Sequence, residues 1–310
     1  MAALPDPAAP SVTDAPTGTS GLDRIRAYVM LTKPRVIELL LVTTVPPMVL
    51  AEGGMPSIGL VLAVLLGGAL AAGGANTINC YIERDRDQVM RRTHARPLPR
   101  GEVSPRAALT FGLVLEVLAF GWLWATANLL AAALAVSAML FYVFVYTIWL
   151  KRTSRQNIVI GGAAGAVPVL VGWSAVRDGV AWEPFLLFTA IFLWTPPHFW
   201  ALAIRHSDDY KAAGVPMLPT VATMRQTVTQ MFVYIVLLTA TTLVLAPVAG
   251  LGPVYTITAA VLGAGFLLAA VDLARHPTAA RSMRVFGFSI TYVTVLFVAM
   301  AVDVLVDHGI

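Results

Sequence analysis

Residues 57–101, SIGLVLAVLLGGALAAGGANTINCYIERDRDQVMRRTHARPLPRG, decide the fold class of this chain. The first part, residues 57–80, contains no charged residue, and an apolar run of about 20 residues is long enough for a helix to cross a bilayer. The second part gathers three carboxylates and six arginines, although only 12% of the chain is charged. The stretch therefore predicts a membrane-spanning helix that runs into a polar region at one surface of the membrane.

The composition of the whole chain agrees with this reading. Of its 310 residues, 58% are hydrophobic, and the mean hydropathy is +0.77; soluble domains average about 45–50% apolar and about 25% charged residues. The formal charge of +4 does not by itself indicate a nucleic-acid partner, because in a membrane protein the position of basic residues matters more than their sum. The single cysteine, Cys80, excludes an internal disulfide, and we expect it in the core. The composition predicts an all-α integral membrane protein embedded in lipid, with no nucleic-acid partner.

Nine segments are long and apolar enough to span a membrane. They are residues 36–53, 57–80, 107–126, 128–149, 157–175, 183–204, 227–247, 254–273 and 286–306. Residues 1–22, rich in Pro, Ala, Ser and Thr, are expected to form a disordered tail, and residues 23–310 to form one polytopic membrane domain.

The basic residues predict the orientation of these spans. With the N-terminus inside, 20 of the 21 lysines and arginines fall in inside segments, and only Arg177 lies outside. This alternation follows the positive-inside rule for nine spans, with a cytoplasmic N-terminus and an outside C-terminus. The two longest inside loops, 81–106 and 205–226, carry acid clusters, so we expect polar chemistry at the cytoplasmic face.

The acid clusters suggest a metal and diphosphate site. Asn79, Glu83 and Asp87 are spaced at i, i+4 and i+8, which places them on one face of a helix. Asp208 and Asp209 follow the sixth span at the same side of the membrane. Amide and carboxylate oxygens suit Mg²⁺, which commonly bridges one or two carboxylates to substrate phosphates. The alternative is that these acids only neutralise neighbouring arginines at the membrane surface.

Four longer motifs resemble one known family. The motif around the acid stripe is similar to the first aspartate-rich motif of the UbiA superfamily of intramembrane prenyltransferases, and together the four resemble its haem-farnesylating members, the protohaem IX farnesyltransferases. The motifs are TKPR (32–35), NCYIERDRDQVMRRTHARPLPRG (79–101), YTIWLKRTSRQNIVIGGAAGAVPVLVGW (146–173) and PPHFWALAIRHSDDYKAAGVPMLP (196–219). This resemblance implies a nine-helix bundle around a central cavity that the two acidic loops cap.

The resemblance also implies an activity: farnesyl diphosphate, haem B and water give haem O and diphosphate, in a bacterial cell membrane with the site facing the cytoplasm. The resemblance implies that Mg²⁺ is the cofactor and that haem B is a substrate. It assigns the metal and diphosphate to Asn79, Glu83, Asp87, Asp208 and Asp209. Substrate contacts are expected from Lys151, Arg152, Tyr146, Arg92 and Arg96. The sequence leaves open whether the chain docks with a haem A synthase.

Several alternatives stay open at this stage. His198 is a candidate contact of the haem iron or a propionate, but a hydrogen-bonded core histidine fits equally well. Arg205, Arg96 and Arg100 are equivalent candidates for the propionates. A UbiA relative that prenylates an aromatic quinone precursor is the second functional hypothesis. A transporter is the third, and it fits less well because its ionisable groups would lie near the midplane of the membrane.

Overall fold

The computed structural model describes residues 20–307, most of which are helical. The helices are α1 (Gly21–Leu31), α2 (Pro34–Val42), α3 (Val45–Glu52), α4 (Ile58–Val89), α5 (Pro105–Thr126), α6 (Leu129–Leu140), α7 (Lys151–Thr153), α8 (Asn157–Arg177), α9 (Trp182–Arg205), α10 (Ser207–Ala212), α11 (Leu218–Val221), α12 (Met224–Val248), α13 (Pro253–Arg275) and α14 (Ala279–Asp307). A π-helix, Phe141–Leu150, connects α6 to α7.

Nine helical segments among residues 20–307 are long and apolar enough to cross a membrane. In order they are Pro34–Glu52, Ile58–Val89, Pro105–Thr126, Leu129–Thr153, Asn157–Arg177, Trp182–Arg205, Met224–Val248, Pro253–Arg275 and Ala279–Asp307. Each contains one of the nine predicted segments or nearly all of it, so the predicted all-α membrane fold is confirmed.

The second span is longer than the sequence predicted. It continues to Val89, nine residues past the predicted end, because residues 81–89 contain no glycine or proline to stop a helix. Glu83 and Arg86 also form an i,i+3 ion pair at 3.5 Å, a spacing that brings side chains together on a helix. The predicted loop 81–106 is therefore reduced to residues 90–104, and the acid stripe belongs to a continuous helix.

The first span is broken between α2 and α3. Pro46 and Pro47 occupy the first turn of α3, where their missing N–H groups cannot continue the hydrogen bonds of α2. The hydroxyls of Thr43 and Thr44 instead donate to carbonyls of the preceding turn, at 2.9 and 2.8 Å from Leu40 O. The break packs against Gly172 of α8, where a Cβ would lie 2.2 Å from Thr44 O.

Helix α9 lies at the centre of the bundle, packed against α8, α12 and α14. It is the most buried of the nine spans, and Trp200 on it is completely buried. Helices α4 and α5 form a second closely packed pair, where Gly74 lets the side chain of Glu116 approach the α4 backbone. Glu116 is 5% exposed, so it faces the interior of the bundle.

One buried carboxylate ties two helices together near the end of the chain. Asp303 of α14 is 4% exposed and accepts hydrogen bonds from the backbone N–H groups of Gly252 and, at 3.1 Å, Tyr255. These groups belong to the start of α13, whose first N–H groups have no partner within the helix. Asp303 therefore caps α13 from a neighbouring helix.

Helix α1 begins within the segment 1–22 that was predicted to be a disordered tail. Helix α1 begins at Gly21 with Ser20 as its cap, and Ser20 and Asp23 bond each other's backbone N–H groups, as in a capping box. Residues 21 and 22 are thus helical, and the rest of the predicted disordered tail, 1–19, lies outside the described residues.

Candidate active site

The acid stripe lies on the last turns of α4 and is buried. Asn79, Glu83 and Asp87 are 3%, 3% and 4% exposed, whereas the side chain of Asp85, on the other face of the helix, is 80% exposed. Helical geometry places residues four apart on one face, and the helix remains regular through all three positions. Buried carboxylates at the end of a membrane span require compensating charges.

Asn79 is held from two sides by residues distant in sequence. The Lys33 ammonium donates to Asn79 Oδ1 at 2.7 Å, and Asn79 Nδ2 donates to Thr147 Oγ1 at 3.0 Å. Burial lowers the pKa of Lys33, since an apolar environment disfavours the charged form. Lys33 lies in the TKPR motif, but the sequence alone does not indicate this contact, because Lys33 and Asn79 are 46 positions apart.

Lys33 has a left-handed backbone conformation, with φ 55°, which is uncommon for a residue other than glycine. It precedes Pro34, and a residue before proline is disfavoured in the right-handed helical region. The turn between α1 and α2 thereby aims the Lys33 side chain at the acid stripe.

Glu83 is surrounded by cations from α7 and from its own helix. The Lys151 Nζ atom lies 2.6 Å from Oε2, Arg86 Nη1 lies 3.5 Å from Oε1, and Arg152 Nη2 lies 4.0 Å from Oε1. Oε1 is buried and accepts no hydrogen bond from any of residues 20–307. A buried oxygen without a hydrogen bond is unusual in a folded protein. Lys151 and Arg152 therefore lie at the stripe, and their contact with the substrate stays a prediction.

Asp87 is paired with Arg96 of the following loop. Arg96 Nη1 lies 2.7 Å from Asp87 Oδ2. Burial alone would lower the pKa of the Arg96 guanidinium, but Asp87 reverses the direction and the pKa is raised. The hydroxyl of Thr93 also donates to the backbone oxygen of Asp87, at 3.3 Å. The loop thus folds back over the end of α4 and brings one of the predicted arginines to the stripe.

The π-helix Phe141–Leu150 positions an aromatic wall beside the stripe. Thr147 donates to the carbonyl of Tyr142 at 2.8 Å and accepts from Asn79. Tyr142 and Tyr146 stack with ring centroids 5.5 Å apart, and Glu83 and Arg92 are among the electrostatic neighbours of Tyr146. π-Helical turns often occur at functional sites. Gly161 of α8 makes room for this wall, since a Cβ there would lie 2.2 Å from Tyr146 Cδ2.

The second acid cluster is separate from the end of α9. That helix ends at Arg205, and Asp208 and Asp209 lie in the first turn of the short helix α10. Asp208 is exposed and Asp209 half-buried. Within residues 20–307 neither carboxylate forms a hydrogen bond or an ion pair with another side chain, and no three His, Cys, Asp or Glu residues form a group that could hold a metal by themselves.

Arg92 lies within electrostatic range of one group near each acid cluster. The charge of Arg92 affects the electrostatic environment of Tyr146, which lies beside the stripe. It also affects that of His206, which directly precedes α10. Burial, together with Arg92 and Arg205, lowers the pKa of His206, against an opposing influence from Asp209. Arg92 itself is exposed. Within residues 20–307 the acids of the two loops make no contact with each other, and the shared cavity that the two loops would cap stays a prediction.

His198 lies inside the bundle and is well accommodated there. Its Nδ1 lies 2.6 Å from Ser289 Oγ, and its ring stacks on Trp194 and Phe286 with centroids 4.2 and 4.5 Å away. The ring is 7% exposed. This geometry matches the alternative of a hydrogen-bonded core histidine, while a contact with haem stays a prediction.

The three candidates for the haem propionates differ in their surroundings. Arg205 is exposed, Arg96 pairs with Asp87, and Arg100 pairs with Glu102 at 2.9 Å.

The donor set fits a Mg²⁺-bound diphosphate in chemical kind. Asn79, Glu83 and Asp87 supply hard oxygen atoms, and Glu83 Oε1 is buried without a hydrogen bond. Mg²⁺ is commonly held by one or two carboxylates together with substrate phosphates rather than by a complete protein cage. Five cations lie within 4.0 Å of a stripe residue: Lys33, Arg86, Lys151, Arg152 and Arg96. The arrangement can bind a highly charged anion beside an aromatic, apolar interior.

Comparisons with known proteins identify similar prenyltransferases. The model of the UbiA prenyltransferase family matches residues 40–299. The protoheme IX farnesyltransferase of Frankia casuarinae is 54% identical over 289 residues, which cover 91% of this chain and 99% of the relative.

Two solved structures share the fold. A digeranylgeranylglyceryl phosphate synthase has a TM-score of 0.75 at 19% identity, with coverage of 91% of this chain and 99% of the other. A UbiA homologue from Archaeoglobus fulgidus bound to GPP and Mg²⁺ has a TM-score of 0.63 at 18% identity, with coverage of 88% and 99%.

Proposed function

The chain belongs to the UbiA prenyltransferase family and, within it, to the group of the protoheme IX farnesyltransferases, and from this premise we propose that it transfers the farnesyl group of farnesyl diphosphate to haem B, giving haem O. The observation that carries the proposal is the buried Asn79–Glu83–Asp87 stripe, surrounded by cations and bordered by Tyr142 and Tyr146. This combination suits an allylic diphosphate, which has a highly charged head and an apolar tail.

The diphosphate head binds at the stripe. Lys33, Lys151 and Arg96 contact stripe residues at 2.6–2.7 Å, and each has further donors for phosphate oxygens. Asn79, Glu83 and Asp87 would hold Mg²⁺, which supplies Lewis-acid stabilisation of the departing diphosphate. The cations keep the buried acids compensated in the free chain and stabilise the negative charge of the substrate in the complex.

The transfer joins the farnesyl C1 carbon to the terminal carbon of a haem vinyl group. The C1–O bond breaks and its electron pair leaves with the diphosphate, while the vinyl π electrons form the new C–C bond. Water then adds to the cationic carbon next to the porphyrin and loses a proton, which completes the hydroxyethylfarnesyl group of haem O. The faces of Tyr142 and Tyr146 can stabilise the allylic cation, since aromatic rings attract cations, and the apolar bundle excludes water until the C–C bond has formed.

The positive-inside pattern supports a cytoplasmic site in a bacterial cell membrane. All the charged residues of the site lie at the side of the bundle that carries 20 of the 21 basic residues. Farnesyl diphosphate reaches it from the cytoplasm, and haem O leaves into the membrane, where a haem A synthase is a suitable recipient.

A single assay tests the activity. Purified protein in lipid nanodiscs receives Mg²⁺, farnesyl diphosphate and haem B, and the haems are separated and weighed by mass spectrometry. We expect a more hydrophobic haem with the mass of haem O, formed only when all three are present. A parallel reaction with 4-hydroxybenzoate in place of haem B should give no prenylated product. Prenylation of that aromatic acid, with no haem O, would assign the chain to quinone-precursor chemistry instead.

A further inference from the structure

An apolar groove lies between α12 and α13, away from the acid stripe. It has a volume of about 710 Å³ and is lined only by residues of these two helices and by Pro277 just beyond α13. Because the nine spans alternate in direction, the start of α12 and the end of α13 lie at the same face of the bundle as the acid stripe. No residue of the candidate active site lines the groove.

The groove is apolar along its length. Met224, Val228 and Phe232 recur at i, i+4 and i+8 on α12, so they line it from the first helical turn inward. Val228 and Ala270 form its floor, at 4% and 1% exposed, and Phe232 forms a wall, at 39% exposed. Eight residues of helix rise about 12 Å, which is close to the depth of one leaflet of a hydrocarbon core about 30 Å thick. The groove therefore matches an acyl chain in its length and chemistry.

Two arginines stand at the mouth of the groove. Arg225 is the second residue of α12 and Arg275 is the last residue of α13, so both lie at the level of the membrane surface. Both are exposed, and within the described part of the chain neither has a carboxylate partner or a side-chain hydrogen bond. Arg281, on the adjacent helix, is by contrast bonded to Asp272. The mouth therefore carries two uncompensated positive charges.

We propose that this groove binds one anionic phospholipid, with the phosphate between Arg225 and Arg275 and an acyl chain against Val228, Phe232 and Ala270. Arginine is well suited to phosphate, since its planar group offers paired donors. A free phosphate would leave the apolar floor uncovered, and a zwitterionic lipid would leave the two positive charges without net compensation. The lipid site is independent of the farnesyl-transfer activity proposed above.

Native mass spectrometry of the full-length protein in detergent tests this site. Phosphatidylglycerol and phosphatidylcholine with identical acyl chains are titrated separately, and bound lipids are counted. We expect one phosphatidylglycerol to bind much more tightly than phosphatidylcholine. The double variant R225Q/R275Q should bind phosphatidylglycerol roughly 25-fold more weakly, about fivefold for each arginine lost at a membrane surface.

A matched control removes the same charge from the same face. Arg106 is the second residue of α5, Arg26 lies in α1, and both are exposed; the R26Q/R106Q variant should bind phosphatidylglycerol like the unmodified protein. The variant Ala274→Trp fills the groove but keeps both arginines, and it should also lose the bound lipid. R225K/R275K retains the charge and should retain most of the binding.

Four results would overturn the proposal. They are equal binding of the two lipids, an equal loss in R26Q/R106Q, displacement of the lipid by free glycerol phosphate, and a dimer that occupies the groove and dissociates in R225Q/R275Q. Haem O formation by the same preparations provides the folding check, because Arg225 and Arg275 do not belong to the active site.

Discussion

At the scale of single residues, the site depends on how buried charges are compensated. Glu83 and Asp87 are almost fully buried, yet each has a basic partner within 2.7 Å. Asp85, only two positions away from either, is exposed and makes only a 3.8 Å contact with Arg84. Neighbouring acids on one helix therefore lie in different environments, and the face of the helix on which each lies decides its environment.

The first prediction compares these acids. Glu83→Gln and Asp87→Asn should each reduce the rate of haem O formation by at least about 100-fold, because each removes charge that the metal-bound transition state requires. The measurement is the initial rate in the nanodisc assay, with protein amount checked by immunoblot. Asp85→Asn is the matched control and should keep nearly full activity. Activity retained in both stripe variants, or an equal loss in Asp85→Asn, would contradict the assignment.

The second prediction concerns Lys33. Lys33→Gln should raise the KM for farnesyl diphosphate by about tenfold or more, because one charge-assisted hydrogen bond is worth roughly 1.5–3 kcal/mol. The KM for haem B should change much less, which separates a role in diphosphate binding from general damage. Arg35→Gln, an exposed basic residue of the same segment, serves as the control. An unchanged KM for farnesyl diphosphate would leave Lys33 with only a structural role at Asn79.

At the scale of elements, the site is built by helix contacts that depend on small residues. The π-helix carries Tyr142, Tyr146 and Thr147, and Gly161 on α8 gives the Tyr146 ring its space. Gly165 lies one turn further along α8. A Cβ at this position would have no neighbouring atom of the described residues within 4 Å. A side chain at position 161 would therefore clash with Tyr146, whereas one at position 165 would have room.

The third prediction uses that pair. Gly161→Ala should destabilise the protein by roughly 1–3 kcal/mol through overpacking and should also lower activity, because the tyrosine pair must shift. Gly165→Ala should be neutral or stabilising by up to about 1 kcal/mol, since alanine is the better helix former. Thermal unfolding in detergent and the haem O rate measure both effects. Equal stability of the two variants would show that Tyr146 can move freely.

The fourth prediction concerns the cap of α13. Asp303→Ala should lower stability by about 1–2 kcal/mol, because the N–H groups of Gly252 and Tyr255 lose their acceptor. Asp307→Ala, an exposed acid in the last turn of the same helix, should have little effect. Both are compared by the melting temperature in one detergent. A melting temperature for Asp303→Ala equal to that of the control would mean that water or lipid satisfies these groups.

At the scale of the whole molecule, the bundle separates a charged face from an apolar interior. Both acid clusters, with Lys33, Lys151 and Arg96, lie at one end of the nine spans. Arg177 lies at the opposite end, where it donates to the backbone oxygen of Ala51 at the end of the first span. The single basic residue that the positive-inside pattern left outside thus has a structural partner there.

The fifth prediction tests the orientation of this bundle. Cysteines introduced as Arg155→Cys and Asp178→Cys, both at exposed positions, should be labelled from opposite sides by a membrane-impermeant thiol reagent. In intact cells only Asp178→Cys should react, and Arg155→Cys should react after the membrane is opened. The native Cys80 is 2% exposed and gives a low background. The reverse pattern would place the active site outside the cytoplasm.

The sequence by itself determined the class of the protein, its nine spans and the acid stripe, because membrane length and helical periodicity are local properties of a chain. The family resemblance that the motifs indicated is also confirmed. Helix ends were less accurate, as α4 and α14 extend beyond their predicted segments.

The tertiary structure alone decided the partners of these residues. Lys33 and Asn79 are 46 positions apart, and Asn79 and Thr147 are 68 apart, so no local pattern links them. The space at Gly161, the Asp303 cap and the separation of Asp208 and Asp209 from the stripe likewise depend on which faces of which helices meet. Side-chain packing between spans fixes that choice, and the apolar pattern of each span shows only that it lies in the membrane.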